Sequence, residues 1–136
     1  MSGVGGDTLV PLQVLIDAVK LLDVEEVDSV IQDTPFNSVK LRLSSFSCVS
    51  HAVQCIRKAK KANLPLVIAI SDDPSLPENG ETFLADLAVG SAAGQLMAGG
   101  LCAGEFSSKY NRILEISQES PSIPFVGPKF RVQFNG

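Results

Sequence analysis

The sequence has little of what metal and redox centres are built from. It contains no tryptophan, one histidine and three cysteines. Cys48, Cys55 and Cys102 lack the spacing of a metal site, which excludes a Cys/His metal cluster. Because Cys48 and Cys55 are two helical turns apart, we expect them to share one helix face as small core residues, not to form a disulfide.

Clustered positive charge and long apolar runs are also scarce. The net charge is −4 with a pI near 4.9, and the one basic block, residues 57–61, falls on a predicted helix, where we expect it to be solvated. A nucleic-acid role is therefore not expected. No apolar run reaches the length of a membrane span and no secretion signal is recognisable, so we expect no membrane insertion and a soluble cytoplasmic or organellar location.

What is present is sufficient for one folded domain. Hydrophobic residues make up 45% of the chain and charged residues 19%, which is the balance of a globular domain. We divide the chain into a flexible, glycine-rich N-terminal segment (1–10), an α/β domain (11–117) and an extended, proline-containing tail (118–136).

The hydrophobic pattern alternates between helical and strand periods. Apolar positions at helical spacing predict five helices, and two short apolar runs predict strands, the second of them apolar on both faces. The predicted helices are 11–22, 24–31, 47–62, 81–93 and 107–117; the strands are 39–43 and 66–70, with 94–100 as a short strand or turn. Strand–helix pairs in succession predict an α/β fold with parallel strands.

Several segments resemble one enzyme family in order along the chain. Residues 80–90 read G-E-T-F-L-A-D-L-A-V-G and resemble the enolase helix D-T-F-I-A-D-L-x-V-G. Residues 94–95 and 109–116 (K-Y-N-R-I-L-E-I) follow at family-like spacing, and 125–131 (F-V-G-P-K-F-R) is similar to the F-x-G-x-x-F-R close of eukaryotic enolases. Upstream, residues 37–50 match the strand and turn that begin N-x-L-L-L-K.

The resemblance implies a fold and a chemistry. The fold is a partial (β/α)₈ TIM barrel of the enolase C-terminal type, with about three parallel strands and covering helices, and its active site lies at the carboxyl ends of the strands. Enolases convert 2-phosphoglycerate to phosphoenolpyruvate: a lysine removes a proton beside a carboxylate, and Mg²⁺ ions held by carboxylates stabilise the product of that step.

The positions that match the enolase motifs carry the wrong side chains for this chemistry. The base lysine of N-x-L-L-L-K falls on Arg42, which does not release its proton near neutral pH. The lysine of K-T-G-A-P falls on Met97, which cannot donate a hydrogen bond. Lys40 lies two residues before Arg42 on the same face of the predicted strand, and therefore further from the strand's carboxyl end. We expect it to face solvent or a partner.

The charged loops also depart from the family. The family loop S-H-R-S-G-E, which binds the substrate, corresponds to a segment around Asp72, and no Lys, Arg or His lies between residues 64 and 83. The Asp72-Asp73 pair would repel a phosphate, and we expect it to lie in a solvated loop or to cap a helix, with metal binding as the alternative. The metal-binding aspartate of the resemblance aligns with Gly6, which leaves Asp7 as a candidate. We therefore expect no catalytic residues and no cofactor.

These observations favour a non-catalytic enolase-like pseudoenzyme that acts as a structural or scaffolding subunit. A partial barrel leaves strand edges unpaired, so we expect other protein chains, in a hetero-assembly or a homodimer, to cover the open edge. One alternative is a fragment of a split or truncated enolase completed by another chain. The other is a small-molecule sensor that uses a remnant of the pocket.

Overall fold

A computed structural model describes residues 12–73, 75–76, 81–100 and 104–131, with the backbone alone for 104–106. The predicted flexible segment 1–10 and the candidate Asp7 lie outside the described residues. None of the helices in these ranges combines the length and apolar character needed to cross a bilayer.

The described chain forms one parallel sheet with helices between its strands. The strands are β1 (Leu15–Asp17), β2 (Ser38–Arg42), β3 (Leu66–Ala69) and β4 (Gly94–Met97), adjacent in that order and parallel throughout. The α-helices are α1 (Val27–Asp33), α2 (Val49–Lys61), α3 (Phe83–Gly90) and α4 (Gly104–Glu119). Short 3₁₀ turns cover Ala18–Leu21, Leu43–Ser45 and Gly127–Lys129.

This architecture confirms the predicted partial TIM barrel. The described residues contain four parallel strands, one more than expected, because residues 15–17, predicted as part of a helix, form β1. The segment predicted as a short strand or turn, 94–100, contains β4, which pairs with β3. Four strands cannot close an eight-stranded barrel, so within the described chain β1 and β4 each have one neighbour only.

The two faces of the sheet differ in polarity. Side chains alternate along each strand, so in-register neighbours share a face. Val39, Leu41, Leu66 and Ile68 have no exposed surface and pack with Ala52, Cys55, Ala59 and Leu84 of the helices into the core. The opposite face, called the inner face below, carries Asp17, Lys40, Arg42, Val67, Ala69, Gln95 and Met97.

The prediction of a helix over residues 11–22 was wrong. Residues 15–17 form β1, and the 3₁₀ turn Ala18–Leu21 follows. Asn37 accounts for the difference: its side chain accepts from the Val14 backbone N–H (2.8 Å) and donates to the Leu12 carbonyl (2.7 Å), while the backbone N–H groups of Asn37 and Ser38 donate to the Val14 carbonyl (3.0 and 3.1 Å). Pairing with a strand more than 20 residues away overrides the local helical pattern.

One lysine of the basic helix block has a structural role. Lys58 of α2 reaches across to the turn after β1, where its ammonium donates to the carbonyls of Leu21 (2.8 Å), Leu22 (2.8 Å) and Val24 (2.7 Å). The predicted solvated face therefore does not include Lys58, which joins α2 to the connection that leads out of β1.

Candidate functional site

The carboxyl ends of the strands bring the sequence-predicted positions together. β1 ends at Asp17, β2 at Arg42 and β4 at Met97, and Asp72 lies three residues beyond the end of β3. Arg42 is in register with Ala69, and Ala69 with Met97. The parallel sheet therefore places Arg42 and Met97 in one row at its carboxyl edge, where enzymes of this architecture bind substrate.

Arg42 is held between two carboxylates. Its Nε (3.2 Å) and Nη2 (2.5 Å) donate to Oδ2 of Asp17, and its Nη1 donates to Oδ2 of Asp72 (3.0 Å). The Arg42 and Asp17 side chains are only 29% and 23% exposed, whereas Asp72 is 78% exposed. Asp17 is therefore the partner that matters for the energy, because the ion pair with Asp72 is screened by water.

The electrostatics of this cluster keep Arg42 charged. Hydrogen bonding to Asp17, followed by the charge of that carboxylate, raises the pKa of Arg42 above its ordinary value, with a smaller contribution from Asp72. A guanidinium so stabilised cannot serve as a general base at neutral pH. It also binds one oxygen of each of the two carboxylates that could otherwise hold a cation, and it offsets one of their two negative charges.

The described residues do not fit a magnesium site. Oδ2 of Asp17 accepts from Arg42, and Oδ1 of Asp17 accepts from the backbone N–H of Val19 (3.3 Å). No group of three or more His, Cys, Asp or Glu side chains in the described ranges could hold a metal ion. A divalent cation at Asp17 and Asp72 would face the fixed positive charge of Arg42 at close range, which disfavours Mg²⁺ binding there.

Arg42 is the one cationic side chain in the row that it forms with Ala69 and Met97, because the third position is a methionine. The Met97 side chain is 49% exposed at the end of β4, and a thioether is at most a weak hydrogen-bond acceptor. Asp73, beside Asp72, closes a turn: its Oδ1 accepts from the backbone N–H (2.9 Å) and hydroxyl (2.7 Å) of Ser75. Those bonds lower the pKa of Asp73. The two neighbouring aspartates therefore differ in role: Asp72 forms an ion pair with Arg42, and Asp73 closes a turn.

Asp17 is the site residue that the sequence reading missed. The strand that pairs with β2 is Leu15–Asp17, so the carboxylate at its carboxyl end is Asp17, while Asp7 lies outside the described residues. The sequence does contain a pattern that indicates this strand. The apolar run Val14-Leu15-Ile16 is followed directly by an aspartate, as expected where a buried strand ends at a functional site. The helical spacing of the surrounding residues concealed it.

Two further features lie away from this cluster. His51, at the exposed start of α2, has its Nδ1 3.2 Å from the hydroxyl of Ser47, as fits a polar helix residue. A groove of about 380 Å³ between α2 and α3 is lined by Val53, Ile56, Phe83 and Leu87, with Arg57 and Asp86 among its polar residues. Its lining contains no residue of the strand ends, so it is not part of the candidate site.

Comparison with known proteins agrees with the fold. Residues 6–133 match the family model described as Enolase, C-terminal TIM barrel domain. The chain is 27% identical over 123 residues to Enolase 2 of Hevea brasiliensis, which covers 90% of this chain and 27% of that protein. It is 30% identical over 108 residues to Enolase 1 of Methylococcus capsulatus (79% of this chain, 25% of that protein) and 32% identical over 108 residues to the enolase of Ureaplasma parvum (79% and 24%). The chain thus spans about a quarter of the length of these relatives.

Proposed function

This chain belongs to the enolase family, through its C-terminal TIM barrel domain, and on that premise we propose that it is a non-catalytic, structural module of the enolase fold. The module keeps the strand–helix framework of the barrel and contributes a protein-binding surface in place of a reaction site. Its partner is another protein chain, which covers the open edge of the partial barrel.

The observation that carries this proposal is the pairing of Arg42 with Asp17. Proton abstraction needs a side chain that can accept a proton near neutral pH, and the guanidinium that occupies the position of the enolase lysine cannot. A dianionic phosphate ester needs cations around it, whereas Arg42 is already neutralised by two carboxylates. The cluster therefore has an internal structural use, which is to tie the ends of β1 and β2 to the loop after β3.

The surface around β1 supports the assembly part of the proposal. Leu12, Val14 and Leu15 are 81%, 43% and 39% exposed at the side of the sheet where β1 has no second neighbour among the described residues. An apolar strand edge with unpaired backbone groups favours association with another strand. Strand addition at β1 would satisfy those groups and bury this apolar surface.

Thermal unfolding in the presence of substrate tests the catalytic half of the proposal. We expect the melting temperature to be unchanged by Mg²⁺ and 2-phosphoglycerate together, because ligand that binds the folded state would raise it. Enolase 1 of Methylococcus capsulatus is the positive control. A saturable rise of several degrees for this chain would contradict the proposal. Sedimentation of the same sample tests the assembly half, which a monomer at high concentration would contradict.

A second candidate function, part of a split or truncated enolase completed by another chain, is favoured by one observation. Asp17 stands at the carboxyl end of β1, where a barrel enzyme places a metal-binding carboxylate. Under this alternative, mixing the unaltered chain with a polypeptide that carries the missing barrel strands would give turnover. Absence of turnover from a folded, associated mixture counts against it.

A further inference from the structure

One row of the inner face contains hydrogen-bond donors without acceptors. Asp17, Lys40, Val67 and Gln95 are register neighbours across β1, β2, β3 and β4, one repeat deeper than Arg42 and Met97. Their side chains share the inner face because the strands are parallel and paired in register. Lys40 and Gln95 therefore stand on either side of Val67, which is 3% exposed.

Lys40 has no anionic partner even though a carboxylate is next to it in the row. Asp17 is its register partner, but the Asp17 carboxylate is engaged by Arg42 in the row above. The Lys40 side chain is partly buried, and among the described residues it forms neither an ion pair nor a side-chain hydrogen bond. Asp17 carries the one carboxylate in the row of Lys40, and it pairs with Arg42 instead of Lys40.

Gln95 presents the second donor. Its Nε2 is buried and has no hydrogen-bond acceptor in the described chain, which is unusual because buried amide N–H groups are nearly always paired. At position 40 the enolase pattern N-x-L-L-L-K has a leucine, so the lysine is a feature of this chain and the inner face has gained a charge. Covering an unpaired ammonium with protein is costly unless an anion comes with the cover.

We propose that Lys40 and Gln95 form a carboxylate-binding site on the inner face, and that an aspartate or glutamate of the polypeptide covering this face fills it. The inference rests on the proposed function, since it names the chemistry by which the covering polypeptide is recognised. A carboxylate has two oxygens, so it can accept from the ammonium of Lys40 and, after an amide rotation, from Gln95. Arg42 cannot replace Lys40 in this role because Asp17 and Asp72 hold it.

Zero-length coupling with a water-soluble carbodiimide tests the site in the protein purified under native conditions, in whatever assembly it forms. The reagent joins an amine to a carboxylate only where the two are in contact. We expect an amide between Lys40 and an acidic residue of the covering polypeptide, and none at the exposed Lys20, the matched control. Lys40→Arg should keep the assembly and lose the coupling, because guanidinium does not form the amide. Lys40→Glu should weaken association by about tenfold or more, since it opposes two carboxylates.

The other outcomes separate this inference from the function it rests on. An assembly in which Lys40 does not couple and Lys40→Glu is tolerated overturns the carboxylate site and leaves the structural module standing. A monomer in which Lys40 reacts with acetic anhydride as fast as Lys20 contradicts both. Inorganic phosphate could instead slow the reaction of Lys40 with acetic anhydride in the isolated chain, with no coupling of Lys40 to any polypeptide. That result would show that the site binds a free anion, and it would overturn the proposal that a carboxylate of the covering polypeptide fills it.

Discussion

Replacing Arg42 by methionine removes the cation between Asp17 and Asp72 while keeping most of the side-chain volume. Two donors of Arg42 reach one oxygen of Asp17 in a partly buried setting, so we expect the free energy of unfolding to fall by about 1–2 kcal/mol. The bond to Asp72 lies in solvent and should contribute less than about 0.5 kcal/mol. In a domain of this size a loss of 1–2 kcal/mol lowers the melting temperature by roughly 3–8 °C.

Urea unfolding followed by circular dichroism measures these differences, and double-mutant cycles assign them. The cycle of Arg42→Met with Asp17→Asn should give a coupling energy of about 1 kcal/mol, and the cycle with Asp72→Asn a value near zero. Arg42→Lys retains the charge but not the second donor nitrogen of the planar guanidinium, and its stability should lie between those of wild type and Arg42→Met. An Asp72 coupling as large as that of Asp17 would refute the reasoning from exposure.

The remaining predictions concern the packing and the thiols. Lys58→Met leaves three backbone carbonyls without their donor and should lower the unfolding free energy in urea by about 2–3 kcal/mol. Gly94→Ala should cost about 2–4 kcal/mol in the same assay, since Gly94 has φ +80° and a Cβ there would lie 2.6 Å from the Phe130 carbonyl oxygen. Hydrogen bonding to Ser50 lowers the pKa of Cys48 and burial raises the pKa of Cys55, so iodoacetamide should modify Cys48 at a lower pH and far faster.

Each of these predictions has a control in the same chain. Lys61→Met removes an exposed lysine from the same helix and should change stability little. Gly90→Ala adds a methyl group where no atom lies within 4 Å, so it should not destabilise the protein. In a chain that carries Cys102→Ser, so that two thiols remain, Cys48→Ser should remove the fast alkylation phase and leave the slow one. Equal loss of stability from the Lys58 and Lys61 substitutions, a tolerated Gly94→Ala, or equal alkylation of the two thiols would each contradict its prediction.

The helices and strands in the middle of the chain could be predicted because each has its own hydrophobic periodicity within a short segment. Strand 39–43 was expected and β2 is Ser38–Arg42; helix 47–62 was expected and α2 is Val49–Lys61; strand 66–70 was expected and β3 is Leu66–Ala69. In each case the apolar alternation or stripe faces the core described above, so one physical requirement determines both the sequence pattern and the structure.

The start of the domain could not be predicted in the same way. β1 has three residues, too few for a strand period to outweigh the helical spacing around it, and its conformation depends on Asn37, more than 20 residues later. Once β1 was assigned to a helix, Asp17 could not be placed beside Arg42. Arg42 and Met97 are predicted from the sequence to be altered positions. The ion pair of Arg42 with Asp17 could not be predicted in that way, because it depends on a contact between strands.

The most direct test of the proposed non-catalytic function is the rate at which the natively purified protein, with any polypeptide that accompanies it, dehydrates 2-phosphoglycerate in the presence of Mg²⁺. Enolase 1 of Methylococcus capsulatus is assayed beside it. Because Arg42, which matches the enolase base lysine, is a guanidinium paired with Asp17, we expect no phosphoenolpyruvate above the uncatalysed background. Steady turnover that disappears on substitution of Asp17 or Arg42 would contradict it.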